Sequence, residues 1–330
     1  MKAPAFWALP KPNFAALTLS PIGAIYGAIA ARRMVRAGAR VAVPVICVGN
    51  FVVGGGGKTP AAMAIARLLI GMGEHVAFIS RGYGGAVGGE AVEVDPQAHK
   101  AAQVGDEPLL LATVAPCFVA RDRRVAALAA IKNGASVIVM DDGLQNPTLD
   151  KDFTLAIIDG GAGLGNGLCL PAGPLRAPLA AQLPHVAAVV TVGRTAIAAA
   201  FGDKPVLTAR LEPDADIAAK LAGRNVLAFA GIARPEKFYA TLREIGAHVV
   251  AVRNFDDHHA FAAAEIAHLQ AQAAPENLIL TTTQKDAARL SPEHRRVVTV
   301  LPVTLIFDDP PRVESLLRQA LARRRGDKTG

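Results

Sequence analysis

Aromatic side chains, charged side chains and cysteines are all scarce in this sequence. Aromatic residues make up 5% and charged residues 19% of the 330 residues, whereas hydrophobic residues make up 52%. So high an aliphatic content excludes a disordered or collagen-like chain. The three cysteines, Cys47, Cys117 and Cys169, lie far apart and form no Cys-x-x-Cys pair. We therefore expect neither a disulfide framework nor a structural zinc site, and a reducing compartment fits this usage.

The charge that is present has a basic excess. Lysine and arginine number 35 against 28 aspartates and glutamates, which gives a formal net charge of +7. A basic balance favours anionic partners such as nucleotides or an acidic membrane surface. We expect no nucleic-acid partner, because aromatic residues are few and the chain has no dense Lys/Arg motif.

The N-terminal region has no charged residue between Lys11 and Arg32. As a helix of about 1.5 Å rise per residue, this stretch nearly matches a hydrocarbon core of about 30 Å. Prolines and hydroxyl residues weaken it as a spanning segment, and only 22–31 is cleanly helical in pattern. Anionic lipid on a cytoplasmic face would attract the arginines that follow, Arg32, Arg33, Arg36 and Arg40. A membrane-associating helix, an ordinary buried helix and a signal peptide all fit this pattern, and we adopt the first for residues 1–40.

Apolar β-type runs alternate with Ala- and Leu-rich helical runs along the chain. Strands are predicted at 43–48, 75–80, 118–120, 137–140, 154–158 and 186–192, and helices at 60–72, 108–115 and 123–133. Continuous apolar strands separated by helices predict a parallel sheet covered on both faces. We therefore divide the rest of the chain into a sheet domain at 41–212 and a smaller C-terminal α/β domain at 213–330.

The strongest local signal is a glycine-rich loop between an apolar strand and a helix. The loop reads Gly54, Gly55, Gly56, Gly57, Lys58 and Thr59. Glycines let backbone N–H groups turn toward phosphate oxygens, Lys58 can reach the β- and γ-phosphates, and the Thr59 hydroxyl can bind Mg²⁺. The match to GxxxxGK[ST] is imperfect, since Val52 stands at the first glycine. The predicted fold is therefore α/β, with a P-loop NTPase-like parallel sheet covered by helices.

Two acidic residues follow the strand predicted at 137–140. Asp141 and Asp142, before Gly143, stand where a Walker B carboxylate faces Mg²⁺ beside the phosphate loop. Alone, Asp-Asp-Gly is equally a good turn. Together with the phosphate loop it predicts a magnesium site.

Further motifs join these two in a fixed order. They are Ser-Arg-Gly-Tyr-Gly at 80–84, Val-Gly-Asp-Glu-Pro at 104–108, Asp-Asp-Gly-Leu-Gln at 141–145, Leu-Pro-Ala-Gly-Pro-Leu-Arg at 170–176, Phe-Ala-Gly-Ile-Ala-Arg-Pro at 229–235, Asp-His-His at 257–259 and Thr-Thr-Gln-Lys-Asp at 282–286. The series resembles the tetraacyldisaccharide 4'-kinase family, the lipid A 4'-kinases of Gram-negative bacteria, from the N-terminal helix to about Leu290. Asn146 and Ala177 stand where that family usually has His and Glu, so the roles of those two residues are not carried over.

The resemblance implies a function. Enzymes of this family transfer the γ-phosphate of ATP to the 4'-hydroxyl of a lipid A disaccharide precursor at the cytoplasmic face of the inner membrane. It therefore implies ATP and Mg²⁺ as cofactors, a tetraacyldisaccharide 1-phosphate as substrate and a membrane surface as partner.

The resemblance also implies catalytic roles, with Lys58 at the phosphates. From the residues alone, Asp106 and Glu107 are as well explained as favourable charge at a helix start. The resemblance makes Asp106 the base that accepts the sugar hydroxyl proton, with Glu107 helping to hold Mg²⁺ or the loop lysine. One histidine of the Asp-His-His motif would support Asp106, and we favour His258 over His259.

Substrate contact is assigned to four residues of the motifs, Arg81, Tyr83, Asn50 and Gln145. Arg81 and Tyr83 follow a strand, and a solvated loop is the plainer interpretation of them. An arginine would nevertheless suit the anomeric phosphate of the substrate. A solvated helix start is predicted for three other arginines, Arg121, Arg123 and Arg124.

Other function classes explain less of the sequence. A P-loop GTPase or metallochaperone needs an [NT]KxD motif, but Lys285 and Asp286 are adjacent, and Asp-Asp-Gly is one residue short of DxxG. A metal-dependent phosphoesterase built on 257–259 needs paired carboxylates on a strand; Asp214 and Asp216 have an Asp-x-Asp spacing but lie in a polar stretch. A nucleotide-gated membrane scaffold without catalysis would differ from a kinase in its ATP turnover with a lipid A precursor.

Overall fold

The structure is a computed structural model that describes residues 3–54, 56–193 and 198–326. Its helices are α1 Phe14–Met34, α2 Lys58–Gly71, α3 Ala101–Val104, α4 Asp106–Leu111, α5 Arg123–Lys132, α6 Leu179–Gln182, α7 Ala215–Leu221, α8 Pro235–Glu244, α9 Ala263–Ala273, α10 Gln284–Ala287, α11 Pro292–Arg296 and α12 Pro310–Gly326. Its strands are β1 Val45–Gly49, β2 Val76–Ser80, β3 Val92–Glu93, β4 Cys117–Val119, β5 Val137–Asp141, β6 Phe153–Asp159, β7 Ala188–Val192, β8 Val206–Pro213, β9 Asn225–Ala230, β10 His248–Asn254, β11 Ile279–Thr283, β12 Thr299–Leu301 and β13 Val303–Phe307.

The larger sheet has nine strands in the order β13-β8-β7-β6-β1-β5-β2-β4-β3. The strands from β8 to β4 run parallel, and the two outer strands are antiparallel to their neighbours. Every residue of β1, β2, β5, β6 and β7 is buried. Helix α2 lies in the core on one face of this sheet and α5 in the core on the other. This is the covered parallel sheet that the continuous apolar runs predict.

A second sheet of four parallel strands follows, in the order β10-β9-β11-β12. Helix α8 buries Phe238, Tyr239 and Leu242 against one face, and α9 buries Ile266 and Leu269 against the other. The second, smaller α/β unit predicted from the sequence therefore has its own core.

The chain then returns to the larger sheet. Strand β13 pairs antiparallel with β8, and α12 places Val313, Leu317 and Leu321 in the core beside α2. The domain limits at 40 and 212 stay a prediction, but these last elements belong with the larger sheet and not with the smaller one that precedes them. Their positions depend on a pairing across about 90 residues, which no local pattern in the sequence reveals.

Helix α1 is longer than the 22–31 stretch with a clean helical pattern. It starts where the side chain of Asn13 accepts a hydrogen bond from the Ala16 N–H, and it continues through Pro21. Gly23 and Gly27 face residues 169–178 so closely that an added Cβ would lie 2.8 Å from Cys169 O and 2.9 Å from Cys169 Sγ, respectively. Among the described residues this helix alone is long and apolar enough to span a membrane.

Candidate active site

The phosphate loop joins β1 to α2 at the carboxyl edge of the larger sheet. Gly54 and Gly57 have φ values of 104° and 81°, which side chains with a Cβ rarely adopt, so glycine is required there. Gly55 lies outside the described residues. Lys58 is the first residue of α2, and its Nζ donates to Gly54 O at 3.2 Å. Exposed backbone N–H groups and the positive end of α2 make this loop a site for an anionic, phosphate-bearing ligand.

Asp141 ends β5 next to this loop, and the Thr59 hydroxyl donates to its Oδ2 at 3.3 Å. Its Oδ1 is buried and has no hydrogen-bond partner within the described part of the chain. Burial raises the pKa of Asp141 to about 7, with Asp142 and Glu107 adding to the effect. An unsatisfied carboxylate oxygen beside a threonine hydroxyl fits a divalent cation, since Mg²⁺ takes oxygen ligands. Of the four residues predicted to hold Mg²⁺, Thr59 and Asp141 therefore lie in contact here.

Asp142 is held differently from its neighbour. Its carboxylate accepts two hydrogen bonds from Arg176 Nη1, at 2.9 and 3.0 Å, and lies 3.9 Å from Lys58 Nζ. Burial would raise the pKa of Asp142, but the charges of Lys58, Arg176 and Arg123 outweigh it and hold the pKa below its ordinary value. Asp142 is thus paired with cations, and it faces Lys58 rather than a free ligand position.

The acid of the Val-Gly-Asp-Glu-Pro motif begins α4. Asp106 is buried, and its Oδ2 lies 3.0 Å from Nδ1 of His258, which belongs to the smaller unit. The ring of Tyr83 meets that of His258 edge-on at 5.5 Å. The structure therefore brings three sequence-predicted residues together at the boundary between the two units.

Burial alone would raise the pKa of Asp106. The hydrogen bond from His258 and the charge of Lys285 outweigh that effect, so the pKa of Asp106 lies well below its ordinary value. The hydrogen bond to Asp106 in turn raises the pKa of His258 against the opposing effect of burial. Asp106 is therefore a carboxylate at neutral pH, able to accept a hydrogen bond or a proton from a bound hydroxyl.

Lys285 supplies a further charge from the smaller unit. Its Nζ lies 2.8 Å from Glu107 Oε1 and 4.0 Å from Asp106 Oδ2. Burial raises the pKa of Glu107, and the adjacent Asp106 adds to the rise. Ligand atoms of Asp106, Glu107 and His258 all lie within 4.8 Å of one another, a spacing that could hold a cation. Glu107 thus adjoins the acid–histidine pair, and its charge also acts on Asp141.

The other predicted substrate residues fall into two groups. Arg81 and Tyr83 are exposed on the loop after β2. Asn50 is buried, and its Oδ1 accepts from Val52 N at 3.0 Å. Gln145 Nε2 donates to Asn50 O and to Gln182 Oε1, each at 2.7 Å. Asn50 and Gln145 thus brace the backbone that leads into the phosphate loop, whereas Arg81 and Tyr83 are open to a ligand.

The remaining motif residues stabilise the protein locally. His259 Nε2 bonds the carboxylate of Glu265 at 2.9 and 3.0 Å, so only His258 reaches Asp106. Asp214 caps α7 by accepting from Ile217 N. Asn146, at the position of the family's usual His, accepts from Thr148, and Ala177 is buried.

One arginine lies in a different environment from the one predicted. Arg123 is not solvated: it is buried, and its Nη2 donates to Asp141 O and Asp142 O at 3.1 and 2.9 Å. Two further arginines at the site have no role in the prediction: Arg176 contacts Asp142, and Arg289 contacts Asp106. Arg176 belongs to the motif at 170–176, and this motif is a signal by which it could have been identified. No local pattern marks Arg289.

Comparison with known proteins gives a consistent result. A family model described as tetraacyldisaccharide-1-P 4'-kinase matches residues 15–322. A tetraacyldisaccharide 4'-kinase of Methylobacterium sp. (strain 4-46) is 54% identical over 328 residues, which cover 98% of this chain and 97% of the relative. A second one, of Methylobacterium radiotolerans, is 54% identical over 327 residues, covering 97% and 99%.

A solved structure supports the fold. The chain resembles a crystal structure of LpxK from Aquifex aeolicus in complex with ATP, with a TM-score of 0.73 and 24% sequence identity. The match covers 93% of this chain and 99% of that one. The predicted α/β fold class is therefore confirmed.

Proposed function

Because the chain belongs to the tetraacyldisaccharide 4'-kinase family, we propose that it transfers the γ-phosphate of ATP to the 4'-hydroxyl of a tetraacyldisaccharide 1-phosphate. The observation that carries this function is the Asp106–His258 pair at the start of α4, a helix that contacts α2 next to the phosphate loop. A phosphoryl donor site and a proton acceptor then share one cleft, which is the minimum that a kinase requires. The GTPase and phosphoesterase alternatives are not favoured.

ATP is held through its phosphates in this proposal. The loop backbone and the N-terminus of α2 bind the phosphate oxygens, and Lys58 turns from Gly54 O toward the β- and γ-phosphates. Asp142 and Arg176 keep Lys58 at the site in the absence of nucleotide, since Asp142 neutralises it and Arg176 fixes Asp142. Phosphoryl transfer is mostly positioning and charge neutralisation, so these contacts do much of the catalytic work.

Thr59 and Asp141 would hold Mg²⁺, with Glu107 as the nearby third acid. Bound there, the ion would neutralise charge on the phosphates. The buried, unpartnered Asp141 Oδ1 is the observation that supports this assignment. Asp142, which is paired with Arg176, acts in this proposal through Lys58.

Asp106 would accept the proton of the sugar hydroxyl. His258 orients that carboxylate and keeps it ionised, so that it is free to accept the proton of a bound hydroxyl. Arg81 and Tyr83 would contact the sugar or its anomeric phosphate, because they lie exposed on the loop next to His258. Asn50 and Gln145 would act indirectly, by bracing the loop.

We place the enzyme at the cytoplasmic face of the inner membrane, bound through α1. One face of this helix packs on the protein through Ala16, Gly23 and Gly27. The opposite face exposes large apolar side chains, namely Phe14, Leu17, Ile22, Ile25, Tyr26 and Ile29. A contiguous exposed apolar face followed by arginines fits a helix lying in a membrane interface. The acyl chains of the substrate would remain in that bilayer.

A transfer assay tests the function. The protein is incubated with γ-labelled ATP, Mg²⁺ and a tetraacyldisaccharide 1-phosphate in mixed micelles, and the lipid product is identified by mass. We expect label in a bisphosphorylated lipid, and at least a hundredfold loss of kcat in Lys58→Ala, because Lys58 neutralises charge in the transition state. Label released only as inorganic phosphate, or a folded Lys58→Ala protein with near-normal kcat, would contradict the assignment.

A further inference from the structure

We propose that Arg289 is a positioning residue that fixes the loop carrying His258 against the Asp106 carboxylate. Its guanidinium contacts Asp106 directly and also the backbone of the residue that follows His258. Nε lies 3.5 Å from Asp106 Oδ2 and donates to Lys285 O at 3.3 Å. Nη1 donates to His259 O at 3.0 Å, the residue after His258. This inference rests on the proposed function, because it assigns a role within the same site.

Arg289 is itself held rigidly. Nη2 donates to Asp286 Oδ1 at 2.6 Å and to Gly231 O at 2.9 Å. Asp286 is fully buried, accepts from Gly231 N through Oδ1, and accepts from the Thr283 hydroxyl through Oδ2 at 2.6 Å. A planar guanidinium with this many fixed partners defines both distance and orientation, which a lysine ammonium could not do.

The loop needs such a support. His258 has φ 61°, a left-handed conformation that residues with a Cβ adopt only when their surroundings impose it. Its N–H donates to Gly231 O at 3.1 Å, the same carbonyl oxygen that accepts from Arg289. Arg289 therefore clamps the carbonyl that anchors the His258 backbone and also the carbonyl of His259. Without the hydrogen bonds from the Arg289 guanidinium, the turn at His258 can relax and carry the imidazole away from Asp106.

A purely structural role predicts something different. If Arg289 merely stabilised the smaller unit, its substitution would lower activity whether or not His258 were present. If it acts through His258, its effect requires His258. A double-mutant cycle separates these two cases.

The experiment compares Arg289→Lys, His258→Ala and the double variant in the transfer assay. We expect Arg289→Lys to lower kcat at least tenfold with the KM for ATP within twofold, and to cause less than a twofold further loss in the His258→Ala background. Arg295→Lys is the matched control, since Arg295 also donates to backbone carbonyls of the smaller unit, those of Ala287 and Leu290. It should leave kcat unchanged. An unaffected kcat in Arg289→Lys, or an equal loss in both backgrounds, would overturn the proposal.

Two additions keep the test decisive. Should Arg289→Lys not fold, Thr283→Val removes the hydroxyl that holds Asp286. Its loss of kcat should be smaller, and it should again vanish in the His258→Ala background.

An NMR titration of His258 needs no activity. Arg289→Lys keeps the charge, so a fall in the His258 pKa reports a lost Asp106 contact, and an unchanged pKa overturns the proposal. Wild-type protein without lipid phosphorylation would instead contradict the proposed function, and the titration would still decide the role of Arg289.

Discussion

At the scale of single residues, the site contrasts two adjacent acids. Asp142 is surrounded by Lys58, Arg176 and Arg123, whereas the buried Asp141 Oδ1 has no partner in the described chain. A buried, unpaired carboxylate is costly to ionise, so its pKa rises and its proton is retained longer. The Asp141 carboxylate is therefore suited to bind a cation that a ligand brings to the site.

The raised pKa of Asp141 predicts that the stability of the folded protein depends on pH. The pKa of Asp141 is raised to about 7 from an ordinary 3.8, so the folded state binds this proton more tightly than the unfolded state. The resulting stabilisation is present below pH 4 and is lost as pH rises through 7. A shift of this size corresponds to a difference on the order of 4 kcal/mol. Asp141→Asn should therefore become more stable relative to wild type as pH increases from 4 to 8, without Mg²⁺ or nucleotide.

Chemical denaturation at several pH values measures this difference. Asp142→Asn is the matched control, because the pKa of Asp142 is lowered and its contribution has the opposite sign: it is present above the ordinary pKa and lost as pH falls. A wild-type minus Asp141→Asn difference that stays constant with pH would mean that Asp141 is not a strained, buried acid.

Site residues that lie within a short sequence motif could be predicted from the sequence, whereas the side chains that reach them from distant parts of the chain could not. Lys58, Thr59 and Asp141 lie in motifs whose spacing carries the chemistry, and the family resemblance added Asp106 and His258. The side chains that tune these groups, Arg123, Arg176 and Arg289, come from elsewhere in the chain. Arg123 was assigned to solvent because a helix start rich in arginine is usually exposed, and only the fold shows that it packs under Asp141.

At the scale of elements, the strands of the larger sheet were predictable because they are continuous apolar runs. Helix α1 was harder, since both of its faces are apolar. Small residues face the protein and large ones face outward, a division that hydrophobicity alone does not reveal. Strands β8 and β13 were missed because their pairing joins distant segments. Local pattern thus defines central strands better than the edge of a sheet.

The outward face of α1 predicts membrane binding. Ile25 and Ile29 are both more than half exposed, and a glutamate at each would place charge in the membrane interface. Burial of each side chain is worth about 1.5–3 kcal/mol, so Ile25→Glu/Ile29→Glu should lower partitioning onto anionic vesicles at least tenfold. Flotation with vesicles containing phosphatidylglycerol measures it.

Leu128→Glu serves as the control for the α1 variant. Leu128 is exposed on α5, a helix on the body of the larger unit, and the same change there should leave vesicle binding intact. If the α1 variant still floats with vesicles while its fold is preserved, membrane contact lies on another surface. Raised salt should weaken binding if α1 lies on the bilayer, because the arginines that follow then contribute.

At the scale of the whole molecule, contacts between segments that are distant in sequence hold the larger unit together. Arg324, near the end of α12, donates to Val41 O, and its Nε lies 3.2 Å from Asp152 Oδ1. Arg324→Met keeps the volume but removes the arginine partner of the partly buried Asp152, which then retains the hydrogen bond from Val45 N. We expect the unfolding free energy to fall by about 2 kcal/mol. Denaturant titration measures the loss. Arg323→Met, at an exposed neighbouring position, should change the unfolding free energy by less than about 0.5 kcal/mol. Equal effects of Arg324→Met and Arg323→Met would show that the contacts of Arg324 do not stabilise the larger unit.

Two sets of ion pairs join the larger unit to the smaller one. On one side, Asp106 and Glu107 meet His258, Lys285 and Arg289. On the other, Asp159 at the end of β6 meets Arg234 and Lys237. The smaller unit therefore presents cations to acids at the carboxyl edge of the larger sheet, next to the phosphate loop. The Asp106–His258 pair exists only because both units meet there.

The central claim is that Asp106 and His258 form the proton-accepting pair of this kinase, and one measurement tests it most directly. Steady-state transfer kinetics and direct ATP binding are compared for Asp106→Asn, His258→Ala and the double variant, with Asp122→Asn, the acid that caps α5, as the control for a mere helix-start carboxylate. Asp106→Asn should lose kcat by about a hundredfold or more with ATP affinity within twofold, because asparagine cannot take up the proton. His258→Ala should lose less, and the double variant should fall short of the product of the two losses. An Asp106→Asn protein that folds and keeps most of its kcat, as Asp122→Asn should, would contradict the claim.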